Sequence, residues 1–177
     1  MVNQENGVDL KSATQSDERK LFIETYGCQM NERDSESAAA MLVSAGHHIV
    51  NSEQDADIII LNTCSVREQA ERKAIGKLGI LKKLKREHPH MIFGIMGCMA
   101  QSRGEELLKS VEHLDFAVGT DNIHAIPEIV EDVIREKHKI RRDDRKGADT
   151  PGIDAHRVNA EAGQFNAFIS ISRGCNR

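Results

Sequence analysis

Cysteine is the residue type whose placement in this chain points to chemistry. Three of the four cysteines, Cys28, Cys64 and Cys98, recur at intervals of 36 and 34 residues. Each closes an apolar run and precedes a helix-start pattern. The intervals match the return of one strand to the next in βαβ units, which take about 30 or more residues. In a parallel sheet the carboxyl ends of the strands share one edge, where open α/β sheets hold their ligands. Three strand-end thiols therefore converge on one crevice, and the positive ends of the following helices favour thiolate over thiol. Such a set forms a metal site with one position open. Thiolates select zinc, copper(I) or iron-sulfur clusters. Structural zinc usually adds a close C-x-x-C pair, which is missing here. A 4Fe-4S cluster has about four ligand positions; three dispersed cysteines can hold it and leave one iron for a sulfur species or substrate. The alternative is that each cysteine is simply a small buried hydrophobe.

The elements that must position these residues alternate between strand and helix. Leu21-Phe22-Ile23 opens a strand ending at Tyr26-Gly27-Cys28, and a helix is expected to begin at Asn31 and close at Gly46. His48-Ile49-Val50 reads as a short strand. Residues 57–61 form an Ile-rich run suited to a parallel strand covered on both faces, ending at Asn62-Thr63-Cys64. Ser65-Val66-Arg67-Glu68 is a capping-box pattern ahead of a long helix with a stripe at Ala70, Ala74, Leu78 and Leu81. Met91 to Met96 is the next strand, and Ser102 to Glu105 repeats the capping pattern before Leu107. Phe116 to Val118 is a further strand, with a helix from Pro127. This order predicts an α/β fold, a three-layer sandwich around a mainly parallel sheet. The link Asn51 to Ala56 is short for a parallel crossover, so the second strand is expected at an edge. Residues 1–19 read as a disordered tail, 20–137 as the cysteine-bearing domain, 138–163 as a charged linker and 164–177 as the truncated start of a further domain.

Composition narrows the function classes. The hydrophobic fraction is 39% and the charged fraction 29%, as in ordinary folded chains. No apolar run reaches the roughly 20 residues of a membrane helix, and no signal peptide is apparent, so a cytoplasmic protein is expected. In that reducing setting four cysteines point away from a disulfide framework. Net charge is −4 and aromatics make up 3%, so nucleic-acid contact would need a local basic patch and little base stacking. Two candidates exist, the helix from Lys73 to Arg86 and the run from Arg135 to Lys146; a solvated helix face and a solvated linker are the competing readings. Glycines at 94 and 97 do not form G-x-G-x-x-G, which disfavours a dinucleotide. His47 and His48 face opposite ways on a strand and suit surface more than ligation.

Tyr26-Gly27-Cys28-Gln29-Met30-Asn31 with Asp34-Ser35-Glu36, then Asn62-Thr63-Cys64-Ser65-Val66-Arg67-Glu68, then Met96-Gly97-Cys98-Met99-Ala100-Gln101 resemble in order the three cysteine motifs of the methylthiotransferase family of radical S-adenosylmethionine enzymes. The resemblance covers about Lys20 to Val133. Gln29-Met30 points to the MiaB-type branch, which acts on tRNA N6-isopentenyladenosine; the ribosomal-protein branch typically has Pro-Lys there and the threonylcarbamoyladenosine branch Lys-Val.

The resemblance implies that Cys28, Cys64 and Cys98 hold an auxiliary 4Fe-4S cluster concerned with sulfur insertion. It also implies a second, radical 4Fe-4S cluster in the full-length enzyme, with Cys175 in Ser172-Arg173-Gly174-Cys175 as its first ligand and the other two cysteines of that motif missing here. The implied reaction converts an adenine C–H beside the anticodon into C–S–CH3, with S-adenosylmethionine supplying methyl group and radical. The implied partner is the anticodon stem-loop of tRNA. Asn31 and Ser65 are expected as helix caps beside the cluster, and Asn62 as a donor in the surrounding shell. Another methylthiotransferase branch and a non-catalytic metal- or nucleotide-binding module are the alternatives. Nothing in the sequence speaks to oligomeric state.

Overall fold

The computed structural model describes residues 18–65, 68–136 and 138–143. The chain order is β1 (Lys20–Tyr26), α1 (Gln29–Ser44), β2 (His48–Ile49), β3 (Ile58–Thr63), α2 (Glu68–Glu87), β4 (Ile92–Met96), α3 (Cys98–Ser110), β5 (Phe116–Val118), α4 (Ile126–Glu136) and β6 (Ile140–Arg142). The six strands form one sheet in the order β2-β1-β3-β4-β5-β6, and every pairing is parallel.

Side-chain alternation sorts the sheet into two faces. Ile58 and Ile60 of β3, Ile92 and Met96 of β4, and Phe116 and Val118 of β5 join Ala38, Met41 and Leu42 of α1 and Ile129, Val130 and Val133 of α4 in one core. Ile59, Leu61, Phe93, Ile95 and Ala117 join Ala74, Leu78 and Leu81 of α2 and Leu107 and Leu108 of α3 in the other. Because both faces are covered, β3 and β4 are buried along their whole length, the reason their sequences read as continuous apolar runs. This is the expected three-layer sandwich.

The short link after β2 is resolved by the length of that strand. Two residues pair only with Lys20 and Leu21 at the start of β1, so the chain is already near the amino edge. It needs only a 3-10 turn at Glu53–Asp55 to pass beneath β1 into β3.

Several expectations are corrected. The first helix begins at Gln29 with Cys28 as its N-cap, not at Asn31. The third begins at Cys98, because Gly97 at φ 95° turns β4 directly into helix; Ser102 lies inside it and bonds back to the Met99 carbonyl at 3.3 Å. Ile140–Arg142, inside the stretch read as linker, pairs with β5 as the sixth strand. His47 is 1% exposed, not a surface residue. The chain turns through Gly46 at φ 100° after α1 and drives the imidazole inward, leaving both ring nitrogens without a hydrogen-bond partner among the described residues.

The glycines divide by environment. A Cβ on Gly94 would lie 2.0 Å from the Phe116 ring, its partner in register on β5. Gly76 and Gly79, in the interior of α2, face open space. Gly76→Ala and Gly79→Ala are each expected to raise stability by about 0.5–1 kcal/mol through helix propensity. Gly94→Ala should lower it by about 1–3 kcal/mol through overpacking. Denaturant midpoints followed by circular dichroism check both, and a lowered midpoint for Gly76→Ala would count against an open helix face.

Burial pushes the His47 imidazole below its ordinary value of 6.5; Glu131 opposes this, while Arg19 and His48 add to it. The native state then binds fewer protons than the unfolded chain. Stability is full above that ordinary value and falls as pH drops from it toward the native-state value. His113 is shifted the same way by burial, against the hydrogen bond it shares with the Leu78 carbonyl. Unfolding measured between about pH 7 and 5 should show a loss of stability that His47→Phe flattens, with a residual slope from His113. An unchanged slope in that variant would remove His47 as its source.

Candidate metal centre

β1, β3 and β4 are adjacent, and their carboxyl ends carry the three cysteines. Cys28 follows β1 as the N-cap of α1, Cys64 follows β3, and Cys98 is the first residue of α3 after β4. All three are free thiols, Cys64 buried and the other two half-buried. The structure thus brings these sequence-predicted residues to one edge. Burial, then the neighbouring Cys64 and Cys28, then Asp34, push the Cys98 thiol up, while the Ser65 backbone N–H bonded to its sulfur acts in the opposite direction. Beside the other two cysteines the Cys98 thiol resists ionising, and a cationic group among them removes that resistance. Among the described residues no group of three or more His, Cys, Asp or Glu is close enough to hold a single metal ion. Three thiols at one strand edge are soft donors of the kind that iron-sulfur clusters and zinc both take.

A buried polar network fixes the edge. Asn31 accepts the Cys28 backbone N–H at 3.1 Å and, from the same oxygen, the Cys28 thiol at 3.4 Å. It is therefore not the cap residue expected but the third helical position reaching back to the cap, in the manner of a capping box. Its amide donates to Asn62 Oδ1 at 2.9 Å, and Asn62 Nδ2 donates to the Asn31 carbonyl at 2.6 Å and to Ser35 Oγ at 2.9 Å. Asn62 serves the site by holding Asn31. Ser65 is exposed and contributes its backbone to Cys98; the residues between it and α2 lie outside the described residues, as does Cys175.

Sequence reasoning missed three contributors. Ser35 bridges Asn62 and Thr25, its hydroxyl lying 2.7 Å from that of Thr25; its position one turn beyond Asn31 was the available signal. Gly27 leaves the space that the Asn31 side chain fills, since a Cβ there would meet Asn31 Oδ1 at 2.2 Å. Gly97 does the same for Asn62 Oδ1 and the Thr63 carbonyl, at 2.5 and 2.7 Å. Beside the edge opens a cleft of about 470 Å³ between the end of β1 and the start of α2, lined by Thr25, Tyr26, Gly27, Glu68, Gln69, Ala70 and Lys73.

The chain is 45% identical over 176 residues to the tRNA-2-methylthio-N(6)-dimethylallyladenosine synthase of Parabacteroides distasonis, covering 99% of this chain and 38% of that protein. It is 44% identical over 169 residues to the synthase of the same name from Akkermansia muciniphila, covering 88% of this chain and 37% of that one. The chain thus spans less than two fifths of the length of these curated relatives. Residues 20–119 match the model of the uncharacterized protein family UPF0004, a stretch that holds β1 to β5 and all three edge cysteines. With more than half of its residues inside that match, the chain belongs to the UPF0004 family.

Proposed function

We propose that this chain is the N-terminal part of a cytoplasmic tRNA-modifying transferase that replaces the C2 hydrogen of N6-isopentenyladenosine, next to the anticodon, by a methylthio group. The observation that carries the reading is the placement of Cys28, Cys64 and Cys98 at the ends of three adjacent parallel strands, in a chain whose relatives bear the name of that synthase. Cys28, Cys64 and Cys98 would hold an auxiliary 4Fe-4S cluster. Cys175 would be the first ligand of a second cluster, the radical one, which uses S-adenosylmethionine. When bound, these groups supply the radical and sulfur chemistry that no side chain can perform at an unacidic ring C–H.

The chain's own residues prepare the ligands. Asn31 orients Cys28 through both its backbone N–H and its thiol. The starts of α1 and α3 direct positive dipole ends at Cys28 and Cys98, and the Ser65 N–H favours the ionised Cys98 sulfur. Partners of the whole enzyme are the anticodon stem-loop and S-adenosylmethionine.

Anaerobic reconstitution tests the reading. The chain should take up about four iron and four sulfide. Cys28→Ala, Cys64→Ala and Cys98→Ala should each abolish uptake, while Cys175→Ala leaves it nearly intact. One zinc per chain with no iron retained, or equal loss from Cys175→Ala and Cys64→Ala, would overturn the assignment of ligands.

A further inference from the structure

We infer that the solvent face of α2 is a docking surface for the phosphate backbone of RNA. The helix carries seven basic residues against three acidic ones; Lys77 and Lys85 turn to Glu24, Glu53 and Asp115 of the fold, while Arg72, Lys73, Lys82, Lys83 and Arg86 are exposed, within a chain of net −4. Its buried stripe is Ala70, Ala74, Leu78 and Leu81. At helical spacing, Arg72, Gly76, Gly79, Lys83 and Arg86 share the opposite face, a row about 21 Å long. Cations stand at both ends of this row and two glycines form its middle. A Cβ at either glycine would meet nothing within 4 Å, so neither is required by packing, and both weaken the helix. What they provide is a saddle where another backbone can approach closely, walled by Ile75 and Ile80, which are 42% and 65% exposed.

The pairings on this face are exchangeable. Arg72 meets Glu68 at 2.6 Å and Lys83 meets Glu87 at 3.8 Å, with the basic side chains 72% and 82% exposed, the kind of surface pair that contributes little. The other basic run differs. Arg141 is paired with Glu105 and Asp143, and Lys139 donates to the Leu108 and Val111 carbonyls, so these charges serve the fold. The start of α2 borders the cleft shared with Tyr26 and Gly27, next to Cys28. A strand laid along the face is led to the cysteine edge. That the polyanion is RNA rests on the proposed tRNA-modifying function; the face itself rests on charge and shape.

The test uses the 177-residue chain and a fluorescently labelled, unmodified tRNA transcript, with binding followed by anisotropy across a salt series. Arg72→Glu with Lys83→Glu should weaken binding about tenfold at low salt and reduce the slope of log K against log salt by about 1.5–2. The matched reversal of Lys109→Glu with Arg135→Glu, also exposed and paired, should change it less than about twofold. Gly76→Gln with Gly79→Gln should weaken binding while leaving the melting temperature equal or higher, which a purely structural role cannot produce. Equal loss from both charge reversals, or no saturable binding by the unaltered chain, overturns the inference. So does a dimer in sedimentation that the glutamine variant dissociates, which would assign the face to a second copy. Iron uptake on reconstitution should be unchanged in every α2 variant. If the chain fails to take up iron while α2-dependent binding persists, the cluster reading falls and the RNA face stands.

Discussion

The cysteine edge depends on one buried amide. Asn62, fully buried at the end of β3, donates to the Asn31 carbonyl and the Ser35 hydroxyl and accepts from the Asn31 amide. Through Asn31 it reaches both the backbone and the sulfur of Cys28. A polar group so deeply buried is tolerated only when its partners are supplied, and here those partners tie β3 to the start of α1. Thr25 and Ser35 extend the tie to β1. The loop that carries Cys28 is thereby held against the strand that delivers Cys64.

Close approach makes that network possible. Gly27 and Gly97 flank it from β1 and β4, and a methyl at either would strike Asn31 or Asn62 within 2.5 Å. Gly97 has a second duty, since its φ of 95° lets β4 pass into α3 without an intervening loop. Cys98 becomes the first helical residue in consequence, placed where the helix dipole favours a thiolate.

The sheet and the shared edge were legible in the sequence because they follow from long-range periodicity: an Ile-rich run of strand length between turn signals suits a strand covered on both faces of a parallel sheet, and the cysteines sit at its strand ends. Local starts were less legible. Ser102-Arg103-Gly104-Glu105 has the form of a capping box, yet the turn at Gly97 starts the helix five residues earlier and Arg103 is used in pairs with Glu71 and Glu106. β6 escaped notice because a three-residue edge strand has one apolar residue, Ile140, and its pairing with β5 is set by tertiary contact. His47 shows the same limit: two adjacent histidines reveal nothing of which one the turn at Gly46 will bury.

The two edges of the sheet are built from different chemistry. At the amino edge, carboxylates satisfy strand-start donors: Asp57 accepts the Lys20 N–H at 2.9 Å, and Asp115 accepts the Phe93 N–H at 2.8 Å and the Lys85 ammonium at 2.7 Å. Those charges are met within the fold. At the carboxyl edge the corresponding positions are neutral amides, hydroxyls and thiols, and among the described residues the carboxylate acting on Cys98 there, Asp34, resists its ionisation. A parallel sheet forces this asymmetry, since its strand starts present N–H groups and its strand ends present side chains from the turns that follow. Anionic side chains complete the first edge without any ligand. The second gathers three thiols, and burial together with the other two cysteines resists the ionisation of Cys98.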